Sequence, residues 1–117
     1  MRDDRERLLD VREAIERIER HTIGGRADFD RSELIQNWVV HHLQIIGEAC
    51  RALSPDVRDR HPEVPWSRII GMRHILVHNY FEIDGDLIWS AVVADLPALK
   101  RDIEAIERTM PPKTAHG

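Results

Sequence analysis

The stretch Trp89-Ser90-Ala91-Val92-Val93-Ala94-Asp95-Leu96-Pro97-Ala98-Leu99-Lys100-Arg101-Asp102-Ile103-Glu104-Ala105-Ile106-Glu107-Arg108-Thr109-Met110 decides the fold. Within it Trp89, Val92, Leu96, Leu99, Ile103, Ile106 and Met110 recur at alternating steps of three and four. That spacing is the seam of a helix packed along its whole length against other helices. Pro97 falls inside the seam and predicts a mild kink, because proline donates no backbone hydrogen bond. Toward the N-terminus, Ile83-Asp84-Gly85-Asp86 reads as a turn, and Trp66 to Phe81 as a third long helix. Arg60-His61-Pro62-Glu63-Val64-Pro65 reads as a connector, since each proline disfavours helix in the residue before it. Ser54-Pro55 has the form of an N-cap followed by proline at the first helical position, opening a short helical turn.

The second helix is expected to start near Asp30, where Asp30 and Glu33 resemble a capping box. It carries Ile35, Val39, Ile46, Ala49 and Leu53 on its apolar side. The first helix runs from about Asp3 to His21, with Leu8, Val11, Ile15 and Ile18 at helical spacing. Glu13–Arg17 and Glu16–Arg20 are acid-to-base pairs four apart, an orientation that supports an exposed helix face. Gly24-Gly25 is expected to end this helix, because glycine readily takes the left-handed conformation found past helix C-termini. Four main helices with short connections predict an all-α antiparallel bundle of four to five helices, one domain over residues 1–110. Residues 111–117 are expected to form a disordered tail.

The chain has 117 residues, of which 42% are hydrophobic and 32% charged, and its formal charge is −4. The hydrophobic fraction excludes a disordered tail as the whole chain. No apolar run approaches the roughly 18 residues of a membrane helix, and the charged first residues lack the apolar core of a secretory signal. One cysteine, Cys50, cannot staple the chain to itself, so cytoplasm is the expected location. An acidic chain is not a general nucleic-acid coat. Residues 51–78 nevertheless carry five arginines against three acids, with His61, His74 and His78 besides, a confined basic region on an acidic body.

Helix three holds the anomaly. On a helical wheel Trp66, Ile69, Ile70, Leu76, Val77 and Tyr80 all fall within about 60° of Arg73. The guanidinium is therefore set in the middle of an apolar face. Burying it without a partner costs several kcal/mol, so it must pair, reach water or line a cavity. Glu48 is a candidate partner, and snorkelling to the surface is the plain alternative. His74, His78 and Gly71 lie on the other side, where a second chain has room to approach. Arg73 and His78 are turned about 140° apart, which one straight helix does not bring together.

Arg73-His74-Ile75-Leu76-Val77-His78-Asn79-Tyr80 has the pattern Arg-x4-His-x-Tyr with a polar residue after the arginine. With Ile46-Gly47-Glu48-Ala49, Trp66, Ile88-Trp89 and Asp95-Leu96-Pro97-Leu99, it resembles the HEPN superfamily, and within it the HepT-like toxins paired with minimal nucleotidyltransferases. About 100 of the 117 residues take part in the resemblance. It implies a metal-independent endoribonuclease of a toxin–antitoxin module, acting on RNA as a homodimer or higher oligomer. It also implies that Arg73 and His78 are catalytic, that His74 and Asn79 support them, and that Tyr80 accepts AMP from the antitoxin, a cognate minimal nucleotidyltransferase. The side chains suit this chemistry. Cleavage by the RNA's own 2′-hydroxyl needs proton transfer, which histidine performs near neutrality. It also needs a cation for the phosphoryl oxygens, and the arginine fork matches them.

A non-catalytic helical module that binds nucleotide or a nucleotidyltransferase through the same surface is the alternative. A metal site gets little support: His74 and His78 have zinc-like spacing, and His41-His42 add imidazoles, but no Glu follows His74 and no second ligand cluster is recognisable. No cofactor motif, membrane segment or DNA-reading helix is present in the sequence. Cys50, in an apolar stretch without an activating base, is not expected to be a nucleophile.

Overall fold

The computed structural model describes residues 3–78 and 84–110, with side chains for all of these except 73–78. The elements are α1 (Asp4–His21), α2 (Gly25–Arg31), α3 (Glu33–Ala52), α4 (Pro55–Arg60), α5 (Trp66–His78), α6 (Gly85–Ser90), a π-helical turn (Ala91–Asp95) and α7 (Leu96–Thr109). No strand occurs among the described residues. The chain is the helical bundle that the apolar spacing predicts. The end of helix three near Phe81 and the tail 111–117 lie outside the described residues.

The core is the union of the apolar stripes. Leu8, Val11, Ile15 and Ile18 of α1 meet Val39, Leu43, Ile46 and Cys50 of α3 and Leu96, Leu99, Ile103 and Ile106 of α7, all buried. Polar contacts at the ends show that the helices run antiparallel. Ser54, just past α3, donates from N–H and hydroxyl to the Asp4 carboxylate at 2.8 and 2.7 Å. At the other end Trp38 Nε1 donates to the Arg17 carbonyl at 3.1 Å. Against α7, Arg12 meets Glu107 at 2.9 Å, and Lys100 meets Glu19 at 2.9 Å.

Three local expectations are corrected. Residues Gly25–Arg31 form a short helix of their own, α2, which buries Phe29 against Trp89 at 5.3 Å between ring centroids. Asp30 therefore belongs to α2, where it takes a hydrogen bond from Arg26, and Ser32 caps α3 by accepting from Ile35 N–H at 3.1 Å. Arg26 also reaches Asp86 at 2.7 Å, which ties α2 to the start of α6. Glu16 turns to Arg12 and Lys100 rather than to Arg20, since α7 brings a cation within reach. Asp84 caps α6 by accepting from Leu87 N–H at 3.1 Å, so helix restarts at Gly85 inside the expected turn.

Other readings hold in whole or in part. Ser54 accepts from Val57 N–H and Pro55 opens α4. The glycines act one step later than expected: α1 already ends at His21 with Thr22 as its C-cap, and Gly25, with φ of +80°, supplies the left-handed backbone at the start of α2. The irregularity expected at Pro97 takes the form of the π turn directly before it. There Leu96 N–H bonds to the carbonyl of Ala91, and the next residue has no N–H to give.

His42 is the one buried polar side chain of the described core. Its Nδ1 lies 2.8 Å from the Trp38 carbonyl, and its ring packs 4.4 Å from that of Trp38. Burial lowers its pKa below the ordinary imidazole value, outweighing the carbonyl contact, and His41, Arg17 and His21 push the same way. A base with a depressed folded pKa binds protons more readily unfolded, so its contribution is intact above the unfolded value of about 6.5 and is lost as pH falls through and below it.

Two outcomes are expected. The urea midpoint of the wild type falls between about pH 7.5 and pH 5, and the fall is smaller in His42→Phe. Ile103→Ala, at a side chain with no exposed surface, lowers unfolding free energy by about 2–5 kcal/mol in the same assay.

Candidate functional site

Helix α5 carries three of the sequence-selected residues on its backbone: Arg73, His74 and His78. Their side chains, with Asn79 and Tyr80 entirely, lie outside the described residues. The described part of α5 fixes how the helix is turned. Trp66 and Ile69, which share Arg73's side of the wheel, are buried, and Trp66 Nε1 donates to the His61 carbonyl at 2.9 Å. That side of α5 therefore packs into the bundle, chiefly against α3. On the opposite side, a Cβ built on Gly71 meets nothing within 4 Å among the described residues.

Glu48, the candidate partner of Arg73, holds Arg51 at 2.6 Å, and it faces a hollow between α1 and α3 lined also by Arg7, Asp10, His41 and Gln44. A pairing with Arg73 falls outside the described residues. A second hollow, of about 280 Å³, opens where α5 passes α6 and the π turn. Arg68 and Asp95 form an ion pair at its rim, 3.1 Å from Nη2 to Oδ1. Sequence reasoning missed this hollow, although Gly71 on the far side of the wheel was the available signal.

Other candidates are placed plainly. Cys50 has no exposed surface, and burial pushes its thiol up to about 12, so it is inert as a nucleophile at neutral pH. His42 turns inward against Trp38, while the neighbouring His41 is exposed, with the two rings 5.0 Å apart and nearly perpendicular. Among the described residues no group of three or more His, Cys, Asp or Glu side chains is placed to hold a metal ion. None of the described helices is long and apolar enough to cross a membrane.

Comparison with known proteins places the sequence. No solved structure matches. A protein of Thermococcus cleftensis named "Probable ribonuclease HepT" is 37% identical over 92% of this chain and 98% of its own length. A protein of Methanocaldococcus jannaschii that carries an inferred RNase name is 40% identical over 68% of this chain and 72% of its own. A third, similarly named, from Caldanaerobacter subterraneus is 35% identical over 68% of this chain and 70% of its own. Residues 11–106 match the family described as ribonuclease HepT-like. That span includes all of α3 and α5, with Arg73, His74 and His78, and the greater part of α1 and α7. The chain belongs to the ribonuclease HepT-like family.

Proposed function

We propose that this chain is a metal-independent endoribonuclease, the toxin of a toxin–antitoxin pair, that cuts RNA through Arg73 and His78. The observation that carries the reading is the family match across residues 11–106, which contains Arg73-x4-His78 at the end of α5. The burial of Trp66 and Ile69 supports it, because a cation on that apolar side has no reason in stability alone to be there.

The 2′-hydroxyl of the RNA attacks the adjacent phosphorus, the bond to the 5′-oxygen breaks, and a 2′,3′-cyclic phosphate and a 5′-hydroxyl result. His78 moves a proton in this exchange, and Arg73 offers two parallel N–H groups to the phosphoryl oxygens as charge builds on them. His74 and Asn79 support the same phosphate. Arg73 and His78 point about 140° apart on a straight helix. A homodimer resolves this, one protomer completing the site of the other.

Tyr80 is the proposed switch. A minimal nucleotidyltransferase antitoxin transfers AMP from ATP to its phenolic oxygen, releasing pyrophosphate. The new phosphodiester anion then occupies Arg73 and repels incoming RNA.

Purified wild type is expected to cut RNA in EDTA, with Arg73→Ala and His78→Ala each slower by at least about 100-fold; equal rates in all three overturn the assignment. Incubation with the cognate transferase and ATP is expected to add one adenylyl group to the wild type and none to Tyr80→Phe, as read by intact-protein mass spectrometry. Full modification of Tyr80→Phe overturns the switch.

A further inference from the structure

The hollow between α5, α6 and the π turn has the size and lining of a base pocket. Its volume of about 280 Å³ lies near the small end of ligand pockets, roughly 300–1,000 Å³, which suits a single ring system. Gly71, Met72, Leu87 and Ala91 give it apolar walls, and Leu87 is 41% exposed there. The absence of a side chain at Gly71 helps leave the hollow open, since among the described residues nothing lies within 4 Å of a Cβ at that position.

The rim carries hydrogen-bonding groups of both kinds. Asp95 is mostly buried, and both its oxygens face a single nitrogen of Arg68, Nη2, at 3.1 and 3.3 Å. Nε and Nη1 of Arg68 thus remain as donors beside a carboxylate that accepts. Guanine is the base with the complementary edge: its N1–H and amino group donate to a carboxylate, and O6 and N7 accept from arginine.

The hollow also lies on the correct side of the helix. Ser67 and Gly71 line it, and on the wheel His78 falls between them in azimuth, about 10 Å further along the axis. A dinucleotide spans that distance. The larger hollow of about 430 Å³ lies between α1 and α3 and includes no residue of α6 or the π turn.

We propose that the α5–α6 hollow seats a guanine of the RNA substrate next to the cleaved linkage and so gives the enzyme its sequence preference. This rests on the ribonuclease reading above.

The test uses the full chain and uncleavable 2′-O-methyl oligouridylates that carry one central guanine, adenine, cytosine or uracil, with binding followed by fluorescence anisotropy. Wild type is expected to bind the guanine oligomer at least about tenfold more tightly than the others. Gly71→Leu fills the hollow and is expected to reduce that preference to about twofold or less, with a Tm at or above wild type, since glycine is a poor residue for a helix interior. Asp95→Asn, which removes the double acceptor, is expected to reduce the guanine preference as well. Equal binding of all four oligomers by a wild type that cuts RNA overturns the pocket and leaves the ribonuclease reading standing. A preference unchanged in both variants also overturns it. If Gly71→Leu instead abolishes dimers and keeps the preference, the hollow belongs to a second copy of the chain and the proposal is overturned. A wild type that neither binds nor cuts any RNA removes the ribonuclease reading and the pocket together.

Discussion

Exclusion of water from the seam shared by α1, α3 and α7 is the constraint on which the molecule depends. Leu8, Val11, Ile15 and Ile18 have no exposed surface to speak of, and they touch partners from both neighbouring helices. Burial at roughly 25 cal/mol per Å² acts without direction, so it sets which faces meet but not the register along them. Register comes from the polar contacts at the ends. Asp4 with Ser54, Trp38 with Arg17, Arg12 with Glu107 and Lys100 with Glu19 each match one height on one helix to one height on another. The half-exposed ion pairs among these add little energy individually, yet a slip by one turn would break them together.

Helix α5 sits at the edge of this seam and serves two masters. Trp66 and Ile69 anchor one side of it in the core, and Gly71 on the other side lines the hollow toward α6 and the π turn. A helix devoted to stability would carry an alanine or larger residue at 71 and a leucine at 73. Both departures fall in the segment that the family match covers and that carries the proposed chemistry. The π turn belongs to the same region. It widens the last helix where Ala91 and Asp95 face α5, and Pro97 follows it where the normal hydrogen bond is missing anyway.

Much of this was legible in the sequence. The steps of three and four from Trp89 to Met110, and the shorter stripe from Leu8 to Ile18, led directly to the buried seam. The Ser54-Pro55 cap acts through contacts a few residues apart, and it appears as read. The second cap was misassigned for an equally local reason: Asp30 and Ser32 both have capping side chains, and only the docking of Phe29 against Trp89, sixty residues away, makes Gly25–Arg31 a helix and hands the cap to Ser32. The Arg73-x4-His78-x-Tyr80 pattern was legible as a family resemblance, which the match over residues 11–106 turns into membership.

What the sequence determined by itself, then, is what local periodicity and chain-neighbour chemistry encode: the helices, their apolar faces, most of their ends and the family. Tertiary structure alone decided where partners far apart in the chain meet. Glu16 reaches Lys100 because α7 passes alongside. Arg68 finds Asp95 because the π turn lies across from α5, and the hollow beneath them exists only as the space between two elements. A helical wheel records the direction of each residue around its own axis. It carries no information about which other axis lies in that direction, and that relation is fixed only when the whole bundle closes on its core.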